Sequence, residues 1–567
     1  MENDFIDVFD TPFSRYGAYV ALSADRNRKE ITIHNIRRVF DAARAFTLVL
    51  EKGGERITDF TISASPARAV INTAAGHVEA YVRDDETIVF ESFGPDFVFN
   101  HAPNGYGIAE GADGKGAFRI IGGRSYSLFT VERGQGVLSG PLSKPRDNAK
   151  PLDRRNILSV KQEDGKILMA LTIAEKEVKG TLTPIDTKAD IAAIRREWEA
   201  FYKKTPCRDG DGFVALSWFN LWSCYVRAEG HYGHDAMLMS KKYMSSVWAW
   251  DHCFNALAIA QTGRQAAYEQ FELPFLRQAE TGALPDMINP NEALAWGITK
   301  PPVHGWCFGK LMDRFDFPAA TLKKTALYLE KQLRWWTDYR DSDGDGIPDY
   351  PQGCDSGWDN STSFDASFFM ETPDLPAYLV LQALTIGRIY EKTGDKGKAK
   401  FWRDHAEKLL KSLYEHSWNG ERFVAKASRT HEHESSPTSL ITLMPIVLGD
   451  VLDRDKMDRL VAILRENFLT EFGIATEEPK SPRYISDGYW RGPIWAPPTY
   501  LIIDGLRRAG HDGLAREIAV RFINMVSRTA KGNYENFDAL TGRGLRAPGY
   551  TWTTSVFLLL LEEYGNA

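Results

Sequence analysis

DIAAIRREWEAFYKK, Asp190–Lys204, is where the chain changes character. Its apolar residues recur at helical spacing, and Thr187 and Asp190 are expected to cap the helix. Upstream the pattern differs. EITIHNI, AFTLVLE, ITDFTIS, HVEAYVR, TIVFESF, AFRIIGG, YSLFTVE and KILMALTI are short runs rich in Val, Ile, Thr and Phe, punctuated by Gly, Asn and Asp. Several alternate apolar with polar residues, as strands with one buried face do. Such runs with short turns predict an antiparallel β-sandwich. GPLSKPRDNAKPLDRR reads as a surface loop. Tryptophan draws the same line, since all 15 lie at or beyond Trp198. The reading is therefore an N-terminal β-sandwich domain over residues 1–186 and a helical catalytic domain over 187–567.

Downstream the helical patterns continue, among them PAATLKKTALYLEKQLRWWTDYR, DLPAYLVLQALTIGRIYEKTGD, LAREIAVRFINMVSRT and WTTSVFLLLLEEY. Leu375–Ile386 and Ser555–Leu561 are apolar nearly all round, as helices packed between layers are. Without a fixed sequence repeat a solenoid does not fit. Paired helices with long loops predict a mainly α fold, an (α/α)6 barrel.

At 567 residues the chain exceeds what one core usually supports. Its net charge of −7 and lack of a basic run argue against nucleic acid or an anionic membrane as partner. No apolar run reaches the roughly 20 residues of a bilayer span. The acidic start MENDFIDVFDTPF lacks a signal pattern, so a cytoplasmic location is expected. The five cysteines (Cys207, Cys224, Cys253, Cys307, Cys354) are scattered and read as reduced core residues.

Two acidic motifs carry the chemistry. DSGWDNS, Asp355–Ser361, follows an Asp-rich loop; NYENFDALTG, Asn533–Gly542, follows YWRGPIW, Tyr489–Trp495. Glycosidic-bond hydrolysis needs two carboxylates, one to protonate the leaving oxygen and one to activate water or attack the sugar. Aromatic rings supply faces for sugar CH groups. The first motif offers Asp359 and its rival Asp355, the second offers Glu535, and Glu477, Glu478 and Asp487 are outside candidates.

The segment from about Tyr243 to Trp552 resembles glycoside hydrolase family 63 and the mannosylglycerate-hydrolase-like enzymes, with a more distant likeness to trehalases. The similarity rests on SVWAWDHCFNALA, GALPDMINP, KPPVHGW, DSDGDGIPDY, DSGWDNS, YWRGPIW and NYENFDALTG, in that order. It implies Asp359 as general acid and Glu535 as general base of an inverting enzyme. It also implies Trp250 and Asp251 against the terminal sugar. Arg491 is a candidate donor to sugar hydroxyls or a carboxylate. Trp358, Trp490, Trp495 and Trp552 are stacking candidates, with packing in the barrel core as the alternative for Trp495 and Trp552. Lys300 and His304 of KPPVHGW are assigned to the substrate side; Lys300 stands where the family often has Gln, which favours a charged or different leaving group.

Asp341, Asp343, Asp345, the Ile347 carbonyl and Asp349 are spaced like a calcium loop, although Gln352 stands where an EF-hand has its bidentate Glu. A structural Ca2+ is expected there, with a plain Asp/Gly turn as the alternative; the chemistry itself needs no cofactor. HEHE, His431–Glu434, reads as a solvated surface run and is assigned no metal. The expected function is an inverting exo-acting α-glycosidase on a small carbohydrate, α-glucosides first. Mannosides, rhamnosides and glucosylglycerate-type substrates stay open. So do a polysaccharide lyase or epimerase, a phosphorylase, and a silent carbohydrate-binding protein.

Overall fold

The computed structural model describes residues 4–101, 107–122, 125–139, 156–178, 184–206 and 212–565. The loop 140–155 and Cys207 lie outside these. The chain divides into two compact units, Met1–Glu229 with Asp235–Ser246, and Gly230–His234 with Val247–Ala567.

The first unit is built on an antiparallel network of fourteen strands. Alternation sets its buried face: in Arg44–Lys52, Phe46, Leu48 and Leu50 point inward while their neighbours do not. Among the described residues these strands are linked into one hydrogen-bonded network, because one long strand bridges two sets of partners. Ser125–Ser139 pairs first with Ile167–Ala174 and then with Asn156–Lys161. A register shift between Val131 and Arg133, followed by Gly134 at φ +124°, bends it from one set of partners to the other.

Two helices belong to this unit, α1 (Thr187–Tyr202) and α2 (Gly212–Ser223). The division expected at 186/187 therefore differs from the compact units. Trp198 is the reason: its ring packs on Phe5, Phe219 and Trp222, and Glu197 accepts from Arg15 Nε at 2.9 Å. The α1 cap is Asp186, whose carboxylate accepts the Ala189 N–H at 3.0 Å, one residue before the expected Thr187.

The second unit is helical: α3 (Asp251–Ile259), α4 (Arg264–Glu272), α5 (His304–Arg314), α6 (Ala319–Tyr339), the single turn α7 (Gly353–Ser356), α8 (Asp374–Lys392), α9 (Lys396–Ser417), a 3-10 helix at Leu440–Val451, α10 (Arg454–Ile463), α11 (Ala496–Arg508), α12 (Asp512–Asn524) and α13 (Thr551–Tyr564). Burial sorts them into two layers. Every residue of α3 is buried, and α8, the 3-10 helix, α11 and α13 are buried nearly all round. By contrast α6, α9, α10 and α12 bury one stripe only. The inner elements close a ring: α3 packs on α5, α5 on α8, α8 on the 3-10 helix, that on α11, α11 on α13, and α13 on α3. The amphipathic helices alternate with them in sequence, which is the inner-and-outer arrangement of an (α/α)6 barrel. Among the described residues no helix is long and apolar enough to cross a membrane. Cys224, Cys253 and Cys307 are buried free thiols and Cys354 is half-buried.

Candidate active site

Five of the motif loops lead to the N-terminal ends of inner-ring helices. SVWAWD enters α3, KPPVHGW enters α5, DSGWDNS precedes α8, YWRGPIW enters α11, and the Glu535 hairpin leads to α13. Sequence-distant carboxylates are therefore delivered to one end of one ring.

Asp359 follows α7, which ends on Gly357 at φ +73°. A Cβ there would lie 2.7 Å from the Trp250 ring, so only glycine lets this turn pass against that indole. Glu535 lies on the short strand Tyr534–Phe537, paired with Gly544–Pro548. The register shifts between Tyr534 and Asn536, which places Glu535 on a bulge, a device that re-aims a side chain. The hairpin joins YWRGPIW through Ile494 and Phe537, whose N–H groups and carbonyls bond reciprocally at 2.7 and 3.0 Å.

Tyr489 connects the two acids. Its hydroxyl neighbours both Asp359 and Glu535 and favours the ionised form of each. Tyr489 itself sits at φ +64°, a left-handed conformation costly for a bulky residue. Asn360 holds it there: its Oδ1 accepts the Trp490 N–H at 2.9 Å and its Nδ2 donates to the Gly488 carbonyl at 3.0 Å. Neither Tyr489 nor Asn360 stands out in the sequence as a site residue, although both lie inside the quoted motifs.

Burial raises the Asp359 carboxyl above the ordinary range, against the opposing charge of Lys300 and the Tyr489 hydrogen bond. Burial also raises Glu535, to about 7; Tyr550, Arg546 and Tyr489 oppose the rise and the Asp359 charge adds to it. Both carboxyls are thus lifted by burial. Asp251, at the start of α3, is pushed by burial to about 8 despite Lys300, and its Oδ2 has no hydrogen-bond partner.

Lys300 balances this group of acids. Its ammonium lies 2.9 Å from Asp286 and donates to the Cys354 carbonyl at 2.7 Å. Burial would lower its pKa, but Asp286, Asp359 and Asp251 together hold it above the usual lysine value. It is a buried counter-ion rather than a cation free for a leaving group. Asp286 arrives through the pairing of Val247–Trp248 with Met287–Ile288, and is a further site residue that sequence reading passed over.

Several expected substrate contacts have other partners. Arg491 donates to the Asn360 carbonyl at 2.7 Å and bonds Asp365, so it ties the Tyr489 loop to the Asp359 loop. His304 is buried and neutral, lowered by burial to about 4, with Nε2 on the Ala249 carbonyl and Nδ1 on Gln332. The five indoles form one cluster. Trp490 stacks on Trp495 at 3.9 Å and touches Trp358 and Trp250; Trp552 meets Trp250 and Trp495 edge-on. All five are buried, so these rings chiefly pack on each other. Their indole nitrogens hold the site backbone: Trp552 donates to the Glu535 carbonyl at 3.2 Å and Trp495 to the Tyr489 carbonyl at 2.9 Å.

Asp355, the rival acid, is buried away from Tyr489, accepting the Thr299 N–H at 3.0 Å and facing Arg340. It braces the Lys300 segment. Glu477 accepts from Thr362 at 2.7 Å and Ser481 at 2.8 Å and is equally structural. Glu478 holds Asn467, and Asp487 pairs with Arg546 at 3.1 Å. In the Asp-rich loop, carboxylate oxygens of Asp341, Asp343 and Asp345 converge, but Asp349 is outside the group. Its Oδ2 accepts the Ser342 N–H at 3.0 Å and its Oδ1 is buried without a partner.

Residues 244–553 match the family described as the mannosylglycerate hydrolase MGH1-like glycoside hydrolase domain. The mannosylglycerate hydrolase of Rubrobacter radiotolerans is 24% identical over 410 residues, 56% of this chain and 90% of that protein. In fold, the GH63 mannosylglycerate hydrolase from Thermus thermophilus in complex with Tris matches with TM-score 0.54 at 17% identity, over 61% of this chain and 99% of that one. A bacterial glucoamylase complexed with acarbose matches at 0.65 and 12% identity, over 99% of this chain and 94% of that one. The family match takes in more than half of the chain and contains every loop that meets at the ring's rim: this protein is a glycoside hydrolase of family 63, in its mannosylglycerate hydrolase MGH1-like group.

Proposed function

We propose that the protein hydrolyses the terminal sugar of a small α-glycoside with inversion, Asp359 acting as general acid and Glu535 as general base. The observation that carries this is the shared Tyr489 hydroxyl, which brings two sequence-distant carboxyls to one place. An inverting pair needs a separation of about 6.5–9.5 Å, which leaves room for a water between the carboxyls. Asp359, raised by burial, can carry the proton for the departing oxygen. Glu535, near 7, accepts one from water at neutral pH. The unpartnered Asp251 Oδ2 calls for a hydrogen-bonding group such as a hydroxyl of the terminal sugar.

The substrate is an α-hexoside of a small aglycone. An α-glucoside is our first choice from the sequence; the Rubrobacter relative's name places mannosylglycerate beside it. A second reading exchanges the two roles, and one observation favours it: Lys300 faces Asp359 and stabilises its ionised form, while Glu535 is raised to about 7.

The test is incubation with aryl α-glucosides, aryl α-mannosides, glucosylglycerate and mannosylglycerate, with and without phosphate, following the product anomer by NMR. Free sugar of inverted configuration, lost in both Asp359→Asn and Glu535→Gln, supports the reading. Retained configuration, phosphate dependence, or activity surviving Glu535→Gln refutes it. Activated leaving groups rescue whichever variant lacks the acid, which assigns the roles.

A further inference from the structure

Four side chains away from the acid pair meet around one point. Asp345 comes from the Asp-rich loop, Glu371 ends the short strand Met370–Glu371, His416 is in the last turn of α9, and His431 follows the strand Lys426–Ala427. One oxygen or ring nitrogen of each lies within 4.8 Å of all the others. His431 Nε2 is 3.5 Å from Asp345 Oδ2 and 4.0 Å from Glu371 Oε2. His416 places Nε2 2.8 Å from Glu371 Oε2 and Nδ1 3.3 Å from Asp345 Oδ2. Ligands around a tetrahedral ion with bonds of about 2.1 Å are about 3.4 Å apart, so small adjustments would suffice.

Hydrogen bonding accounts for only part of this convergence, since His431 Nε2 also bonds Asp343 Oδ2 at 3.2 Å. Glu371 is fully buried, and neither of its oxygens accepts a hydrogen bond. His416 Nε2 is buried too and, although 2.8 Å from that carboxylate, is not aligned to donate to it. A buried carboxylate facing two imidazoles and a second carboxylate is a donor set for a cation.

We infer that Asp345, Glu371, His416 and His431 form a binding site for a divalent transition-metal ion, with Zn2+ as the expected occupant. Two imidazole nitrogens select a borderline ion over Ca2+ or Mg2+, which take oxygen ligands. Four protein ligands complete a tetrahedron, so the ion is structural rather than catalytic. Its placement gives it a purpose: Asp345 and Glu371 flank the excursion of chain that presents Asp359, and one ion fastens both ends of it to α9 and the His431 loop. Of the HEHE quartet only His431 takes part, which revises its reading as a surface run; Glu434 pairs with Arg483.

The test uses the full chain, stripped with a chelator and titrated calorimetrically with Zn2+ and, separately, Ca2+. The expected result is one Zn2+ per chain, bound at least roughly 100-fold more tightly than Ca2+. Co2+ should give the visible absorption of a four-coordinate site, and Zn2+ should raise Tm. His431→Ala removes a half-exposed ligand with little cost to folding and should abolish these signals, as should Glu371→Gln. Absence of Zn2+ binding to the folded chain, binding unchanged in His431→Ala, or a preference for Ca2+ would overturn the inference.

Discussion

Asn360 grips Trp490 through its side-chain amide: the amide oxygen takes the Trp490 N–H at 2.9 Å while the amide nitrogen donates to the Gly488 carbonyl. Tyr489 lies between those two anchored residues, so its hydroxyl is aimed by a neighbour of Asp359. Asn360→Ala should lower kcat by roughly 10²-fold, the cost of misplacing a group by about an ångström, with a smaller change in KM. Steady-state kinetics with an aryl glycoside checks this. Unchanged kcat would show that Tyr489 needs no such anchor.

Removing the hydroxyl itself tests the bridge. Tyr489 favours the ionised form of both acids, so Tyr489→Phe should raise both pKa values. Activity is lost below the base's pKa and above the acid's. Both limbs of the kcat/KM profile should therefore move to higher pH, by about one unit. A profile that falls in amplitude without moving would place the hydroxyl elsewhere in the mechanism.

Asp251 gives a stability prediction with a definite sign. Its folded pKa of about 8 stands well above that of an unfolded aspartate, so the native state keeps a proton the unfolded chain releases. Wild-type stability should decline as pH rises from about 4 toward 8. Asp251→Asn lacks this decline, so its Tm relative to wild type should improve steadily between pH 5 and 8. The ceiling is on the order of a few kcal/mol. Its activity should fall sharply, since the unpartnered oxygen is lost. Parallel thermal melts across pH check the slope.

Gly357→Ala combines a left-handed backbone with a Cβ 2.7 Å from the Trp250 ring. The expected loss is about 1–3 kcal/mol of stability, with a drop in kcat because the turn that carries Asp359 must shift. Chemical denaturation and kinetics on one preparation separate the two effects.

The two layers of helices were legible because burial leaves a plain trace: α13 carries the unbroken apolar run Val556–Leu561, whereas α9 carries a single apolar stripe. Asp359 and Glu535 could be singled out as candidates because their motifs set an acid beside Gly and Trp in one case and beside Tyr and Asn in the other. The place of α1 was not, since a helical period says nothing about which core its stripe faces, and Trp198 faces Phe5 and Trp222. Arg491 and Lys300 were visible as cations, but their partners, Asn360 and Asp286, are decided by loops meeting in space. The tryptophans were marked as sugar platforms; composition cannot tell an indole that faces a ligand from one that faces another indole. Asp345, Glu371, His416 and His431 span four separate segments, and no spacing rule links them.

The contact between α13 and α3 sets an order on biosynthesis. Asn255 near the start of this ring donates to Thr551 at 3.2 Å and accepts from Ser555 at 2.9 Å, across some three hundred residues of chain. Earlier helix pairs can stack on their neighbours as they leave the ribosome, but the circle stays open until its final staves emerge. Until then the apolar flank of α3 has no cover. Nascent chains stalled before Thr551 should accordingly be the ones that chaperones retain and proteases cut.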